Sequence, residues 1–271
     1  FETHTYNLDW CLYHSADKAV KSNLAGRKWD SEAFARRMKS GRRQLEILAR
    51  PAQKIQPGKY RVYLAPAAVG EVLGMMCWGG FSHRSMDNRT TPLLKLVDGD
   101  KRLSSEIQIS EVPGTGIAPR FQGDGFVRPD RIPLIEDGAW NGPLISPRSA
   151  KEHGIQTNGA GEGEQPVALE MAPGRLPEGG VLDALGTGLW VSNLWYLNFS
   201  DRAAGRITGM TRFATFWVEN GEVVAPLSVM RFDDTFYNCL GDNLIGLSHQ
   251  AELQLSSDTY YARSTRSARN P

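Results

Sequence analysis

The sequence predicts an α+β fold dominated by antiparallel β-sheet, with a few short helices. Segments typical of strands outnumber those typical of helices in the second half of the chain, and the two clearest strands meet at Asn220-Gly221. Asn-Gly is a strong hairpin signal because the tight turn needs positive φ. Parallel strands instead need long crossovers, which are usually helical. Since few helices separate the strands, a doubly wound parallel sheet is not expected.

The first 55 residues are expected to form a strand followed by a helix. The stretch THTYNLDWCLYH alternates aromatic and polar residues, which is typical of a strand at a sheet edge. The helix is predicted within WDSEAFARRMKSGRRQLEILARP, with Asp30 or Ser31 as its N-cap and Pro51 beyond its end. Its basic residues lack interleaved aromatic side chains, which favours a solvated face over an RNA-binding stripe. We place a boundary near Gln56.

The stretch YLAPAAVGEVLGMMCWGG, from Tyr63 to Gly80, predicts a buried strand that ends at Ala-Pro and a short apolar helix. One acidic residue, Glu71, lies inside this helix. A solvated glutamate on the outer face of an otherwise apolar helix is one explanation. A functional role for Glu71 is the other, and the residues alone do not decide between them.

Short strands separated by turns follow Gly80. Strands are predicted in SEIQISEV, in the hairpin DRIPLIEDGAWNGPLIS, in LWVSNLWYL and in the hairpin TRFATFWVENGEVVAPLSVMRF. Short helices are predicted in LPEGGVLDALGTG and in SPRSAKEHG, where Ser146 is the cap and Gly154 the stop. A last helix is predicted to begin at Asp233-Asp234, because carboxylates suit a helix N-terminus, and to run through TFYNCLGDNLIGL.

Composition excludes several classes of partner. A formal net charge of +1 over 271 residues gives no reason to expect nucleic acid or an anionic membrane as a ligand. No apolar run approaches the roughly 20 residues that span a bilayer, so a cytoplasmic location is expected. Cys11, Cys77 and Cys239 lie far apart in apolar surroundings, which favours free thiols. The chain opens at Phe1 without methionine, and we expect it to be a piece of a longer protein.

A search for short catalytic motifs is negative. The sequence has no P-loop, no GxGxxG after a strand, no GxSxG and no HExxH, and its five histidines never fall at metal-ligand spacing. The glycine-rich loop with Glu162 and Glu164 favours solvation over cation binding. Ser82 and His83 could supply a nucleophile and a base, but neighbouring residues cannot normally face each other in that way. Composition and motifs alone therefore indicate an α+β domain without an assigned activity.

Long ordered segments resemble the C-terminal domain of the TldD/PmbA family, bacterial peptidase-related proteins also called modulators of DNA gyrase. They are PGKYRVYLAPAAVGEVLGMM, LIEDGAWNGPLISPRSAKEHGIQTNGA, VSNLWYLNFSDRAAGRITGMTRFATFWVENGEV and MRFDDTFYNCLGDNLIGL. Together they cover most of the chain from Pro57 to Leu247. The resemblance implies an α+β, mostly antiparallel C-terminal domain over 56–271, with 1–55 as the end of the family's N-terminal domain.

The resemblance also implies where a metal site would lie. Catalytic members of the family carry an HExxxH helix directly after the strand and proline, in which two histidines hold zinc and the glutamate activates water. The matching segment here is GEVLGM, so Gly70 and Met75 replace the histidines and only Glu71 remains. Zinc needs imidazole, thiolate or carboxylate ligands, and one carboxylate does not retain it. We therefore expect no catalytic residue and no bound metal in this chain, with zinc only in a partner subunit.

This pattern resembles the metal-less TldE/PmbA-type subunit, which pairs with a zinc-bearing TldD-type subunit to degrade small or unfolded peptides. Two segments are candidates for contact with a peptide. The first is the strand end SNLWYLNFSDR together with the neighbouring arginine, and the second is the loop QTNGAGEGE. The candidate residues are Asn193, Tyr196, Asn198, Ser200, Asp201, Arg212, Thr157 and Asn158. The alternative is that Trp190, Trp195 and Phe199 are core anchors and that the polar residues only complete turns.

The expected partners are a TldD-type zinc subunit or a second copy of this chain, and a peptide substrate. The apolar helix offers Val69, Val72, Leu73, Met75, Met76 and Trp78, part of which is a candidate interface. Nucleic acid is not expected, because a solvated terminus explains the basic tail YYARSTRSARNP, with Arg263, Arg266 and Arg269. A binding or regulatory protein that acts alone on gyrase or a toxin, without peptidase chemistry, is the alternative function.

Overall fold

The computed structural model describes residues 1–15 and 18–256, and the backbone of 268–270. It confirms the predicted α+β class, with antiparallel-rich sheets and short helices. The helices are α1 (Ser31–Leu48), α2 (Pro66–Cys77), α3 (His83–Asp87), α4 (Leu94–Val97), α5 (Pro147–His153) and α6 (Val181–Leu185). The strands are β1 (Tyr6–Ser15), β2 (Lys18–Gly26), β3 (Val62–Leu64), β4 (Ile109–Glu111), β5 (Ile132–Glu136), β6 (Ala139–Trp140), β7 (Ala168–Met171), β8 (Gly188–Asp201), β9 (Arg206–Glu219), β10 (Glu222–Pro226), β11 (Arg231–Thr235), β12 (Gln254–Leu255) and β13 (Ala268–Asn270).

The N-terminal region is a hairpin of β1 and β2 covered by α1. The predicted first strand is present, but the second strand was not predicted. Helix α1 starts where the sequence indicates, because the Asp30 carboxylate accepts the backbone N–H of Ala33 at 2.8 Å. The helix packs on the hairpin through Phe34, whose ring centre lies 5.4 Å from that of Trp10. A small core of Val20, Leu48, Ala214 and Phe216 joins this region to the central sheet.

The central sheet has the order β10-β9-β8-β3, with β11 also paired to β9. The long hairpin of β8 and β9 forms its middle, and the β9–β10 turn at Asn220 and Gly221 has positive φ at both residues, as Asn-Gly predicts. Strand β3 pairs in parallel with the first part of β8, from Leu189 to Val191. The main core is shared by this sheet, α2 and a second sheet, and it includes Leu73, Met76, Val191, Leu194, Ile207 and Phe236.

A second sheet has the order β12-β13-β7-β4-β5-β6. Its β5–β6 hairpin turns at Asp137 and Gly138, both with positive φ, so the predicted Asp-Gly turn is confirmed. The short helix α5 also matches its prediction. Ser146 caps its first turn and Gly154 ends it in the left-handed conformation.

The last predicted helix is wrong at its start. Asp233 and Asp234 lie in β11, which pairs antiparallel with β9, and Asp233 forms an ion pair with Arg206 at 2.9 Å. Only a single wide turn, from Asn238 to Asp242, follows this strand. Two adjacent carboxylates suit a helix start locally, but pairing with a strand 27 residues earlier determines the backbone here.

Two further expectations concern the three cysteines and the basic tail. The three cysteines are free thiols, each half-buried. Most of the basic tail, including Arg263 and Arg266, lies outside the described residues. Across the part of the chain that the structure describes, no helix has both the length and the apolar character needed to cross a membrane.

Candidate functional site

Helix α2 occupies the position at which the sequence analysis placed a degenerate metal motif. Pro66 starts the helix, because its fixed φ suits the first turn and Ala65 before it is extended. The residues that replace the two histidines, Gly70 and Met75, are both buried. Glu71 faces solvent. The single charged side chain of this helix therefore points away from the core that its apolar residues form.

The donors present do not fit a zinc ion. Gly70 has no side chain, Met75 offers a thioether in the core, and Glu71 supplies one exposed carboxylate. In the described ranges, no group of three or more His, Cys, Asp or Glu side chains converges in a way that could hold a metal. Burial and the nearby Asp234 raise the pKa of the Cys239 thiol to about 12, so this sulfur is not a thiolate at neutral pH.

The interface proposed for α2 is mostly buried within the fold. Trp78 is 54% exposed, whereas the other apolar residues of the proposed interface that form part of the main core are buried: Val72, Leu73, Met75 and Met76. Trp78 lies at the C-terminal end of α2, where the Arg202 guanidinium donates to its carbonyl oxygen. The end of the helix is thus fixed to the β8–β9 turn, and only this end offers an aromatic surface to a partner.

The predicted peptide-contacting strand end is irregular. The pairing register of β8 with β9 shifts between Val191 and Asn193 and again between Trp195 and Asn198. Tyr196 lies in the second irregularity with φ of 58° and is 76% exposed. Positive φ is unusual for an aromatic residue and concentrates at bulges and functional sites.

Arg212 lies opposite Asn193 on the neighbouring strand. Its guanidinium carbon is 4.1 Å from the Trp195 ring centre and 4.8 Å from that of Phe213. Trp195 is 49% exposed and is not a core anchor, whereas Trp190 and Phe199, the other two residues of the alternative interpretation, pack against the core. The Asn193 amide oxygen is buried and has no hydrogen-bond partner among the described residues. Of the candidate residues, Asn193 and Arg212 therefore lie opposite each other, with Trp195 and Phe213 beside the exposed guanidinium.

The other candidates on this segment are exposed and take part in local bonds. The Asn198 side-chain oxygen accepts the N–H of Phe199 at 2.8 Å, and Asp201 accepts the N–H of Ala204 at 3.0 Å. Ser200 is exposed, and hydrogen bonds from Arg206 first and from Ser200 second lower the pKa of Asp233. All three lie near the turn end of β8, beyond Arg212, so the structure separates them from the arginine and its neighbours.

Thr157 and Asn158 lie in a different part of the molecule and organise a loop. The Thr157 hydroxyl donates to the carbonyl of Ile145 at 2.7 Å. The Asn158 amide donates to the carbonyl of Pro143 and accepts the N–H of Ile145 at 2.8 Å. These side-chain bonds satisfy backbone groups of the segment before α5, as a paired strand would. Contact of Thr157 and Asn158 with a peptide stays a prediction.

Glu164 has a structural role that the sequence did not reveal. It is 1% exposed, and its carboxylate accepts bonds from the Ser82 hydroxyl at 2.7 Å, the N–H of Arg84 at 2.9 Å and the N–H of Ser146 at 3.0 Å. Burial raises the pKa of Glu164, but these bonds outweigh it and lower the pKa to about 2. The Ser82 hydroxyl is thus directed at a carboxylate and not at His83.

The comparisons with known proteins agree with this architecture. A family model described as the PmbA/TldA metallopeptidase C-terminal domain matches residues 57–267. The chain belongs to the TldD/PmbA family. A search of curated protein sequences finds no match.

Solved structures of this family share the fold at low sequence identity. TldE from Thermococcus kodakarensis is 16% identical with a TM-score of 0.76, over 98% of this chain and 60% of that one. A proposed modulator of a DNA gyrase from Thermotoga maritima is 16% identical with a TM-score of 0.74, over 92% and 58%. A similar protein from Bacteroides thetaiotaomicron is 17% identical with a TM-score of 0.66, over 88% and 53%. The chain therefore spans little more than half the length of these structures.

Proposed function

We propose that this chain is the metal-less, TldE-like subunit of a peptidase complex whose zinc is carried by a TldD-type partner. The observation that carries the proposal is the core of α2, where Gly70 and Met75 are buried in place of two histidines and Glu71 is left exposed. A family member that keeps the helix but lacks its ligands cannot supply metal chemistry by itself. Its contribution is to shape a cleft and to hold its partner.

The proposed substrate is an extended peptide that contacts the strand end of β8. Strand β3 pairs with β8 only as far as Val191, and Ala65 donates the last bond on that edge, to the Val191 carbonyl. From Asn193 onward, no other described strand pairs with this edge of β8. An open strand edge offers backbone groups that bind extended peptides regardless of sequence. Thr157 and Asn158 are proposed as a second, more distant contact.

The proposed assembly is a heterodimer with the TldD-type chain, or a homodimer when that chain is absent. Elemental analysis after dialysis without chelator is expected to find no stoichiometric zinc in this chain. Light scattering at micromolar concentration is expected to show a dimer when the TldD-type chain is added. One tightly bound zinc per chain would reject the metal-less role. A monomer both without and with the added TldD-type chain would favour a protein that acts alone.

A further inference from the structure

Arg212 is an exposed cation, and no acidic partner for it lies among the described residues. Its guanidinium lies over Trp195 at 4.1 Å and beside Phe213 at 4.8 Å, and no ion pair among the described residues includes it. Other arginines of the same sheet are engaged, since Arg206 pairs with Asp233 and Arg231 donates to the Thr208 hydroxyl. Stacking fixes the plane of a guanidinium while its N–H groups still point outward.

The backbone on both strands is strained at this point. Phe213, directly after Arg212, has φ of 60°, and Tyr196, directly after Trp195, has φ of 58°. Bulky residues adopt this conformation only where the surrounding structure enforces it, and such positions concentrate at binding sites. The neighbouring Asn193 carries a buried amide oxygen without a partner in the described part of the chain, which is also rare in native structures.

We propose that Arg212, held on Trp195, binds a carboxylate of the extended peptide that lies along the open edge of β8. The inference rests on the proposed function and names the group that this site recognises. Planar guanidinium and carboxylate form two parallel hydrogen bonds, and a guanidinium without an internal counter-charge keeps its full attraction for an incoming anion. The carboxylate is either the C-terminus of the peptide or an aspartate or glutamate side chain.

The test is calorimetric titration of this chain, alone and with its TldD-type partner, using three N-acetylated alanine-rich hexapeptides. One has a free C-terminal carboxylate, one is C-terminally amidated, and one is amidated but contains a glutamate. Amidation is expected to weaken binding by about tenfold or more, since hydrogen bonds to charged groups are the strong ones. Recovery by the glutamate peptide would assign the site to acidic side chains, and no recovery would assign it to the C-terminus.

Variants make the result specific. Arg212→Gln is expected to abolish the preference for a carboxylate, and Arg212→Lys to retain only part of it, with little change in melting temperature because the side chain is exposed. Arg231→Gln removes the same charge from the same sheet and is the control. Equal binding of the three peptides, no binding by any of them in either sample, or equal loss in both glutamine variants would overturn the proposal. Association with the partner is measured separately, so failure here leaves the proposed subunit role intact.

Discussion

Glu164 shows how one buried carboxylate connects three separate segments. It holds the glycine-rich loop against the first turns of α3 and α5 through Ser82, Arg84 and Ser146. A carboxylate that accepts several N–H and O–H bonds is stable in the charged form despite burial. The loop is therefore a structural element, and its acidic composition does not indicate a cation site.

Glu164→Gln is expected to destabilise the fold by about 1–3 kcal/mol at neutral pH, because the amide leaves buried donors poorly paired. The pKa is lowered from the ordinary value of 4.5 to about 2, so the stabilisation is present above pH 4.5 and is lost as pH falls toward 2. Denaturant unfolding at several pH values should show the difference between the two proteins shrinking in that window. Glu162→Gln, on an exposed residue of the same loop, is the control and should stay within about 0.5 kcal/mol. Equal stability of the wild-type and Glu164→Gln proteins at pH 7 would contradict the assigned role.

Trp195 shows which feature of the candidate site could not be predicted from the sequence. One of the two interpretations made Trp195 a core anchor, yet the ring is half exposed and stacks with Arg212. The register shifts around Asn193 and Tyr196 change which side chains face the core, and a shift of one residue reverses the face of a strand. Such bulges carry no clear signal in the sequence, so the sequence placed Arg212 beside this strand end but did not reveal its stacking on Trp195.

Among the elements, α2 and α5 match their predictions, although β3, expected to be buried, is not. The Ala-Pro start and the continuous apolar sequence determine both the position and the burial of α2, and these are local signals. Strand β11 was missed for the opposite reason. Its Asp233-Asp234 pair suits a helix start locally, whereas its pairing with β9 depends on residues far away in the sequence. Helix α1 could also be predicted from local signals, because its Asp30 cap directly precedes it in the sequence.

Restoring the two histidines on α2 is expected to fail as a route to a peptidase. Gly70→His combined with Met75→His places two imidazoles at buried positions, where overpacking and desolvation together cost about 2–5 kcal/mol. No further ligands or supporting groups are assembled around them in the described structure. The measurements are the melting temperature, which should fall, and peptide hydrolysis with zinc added. Met75→Leu, which keeps an apolar side chain of similar volume, is the control for the packing cost. Hydrolysis that a chelator blocks would contradict this description of α2.

At the scale of the whole molecule, the chain contains the family's C-terminal domain and spans 53–60% of the related structures. The fold class followed from strand composition and turn chemistry, which are distributed along the sequence. The candidate site could be predicted less completely, because it depends on where β3 stops pairing with β8, at Val191, and on the stacking of Arg212 on Trp195. Contacts with a partner subunit depend on surfaces that one sequence does not specify.

The central claim is that this chain assists peptide hydrolysis without carrying out the chemistry. The most direct measurement is cleavage of an unfolded peptide by three samples: this chain alone, a TldD-type HExxxH chain from the same organism alone, and an equimolar mixture. The account predicts cleavage in the mixture that a zinc chelator abolishes, and none above background with this chain alone. Cleavage by this chain alone, or equal cleavage by the TldD-type chain with and without it, would contradict the account.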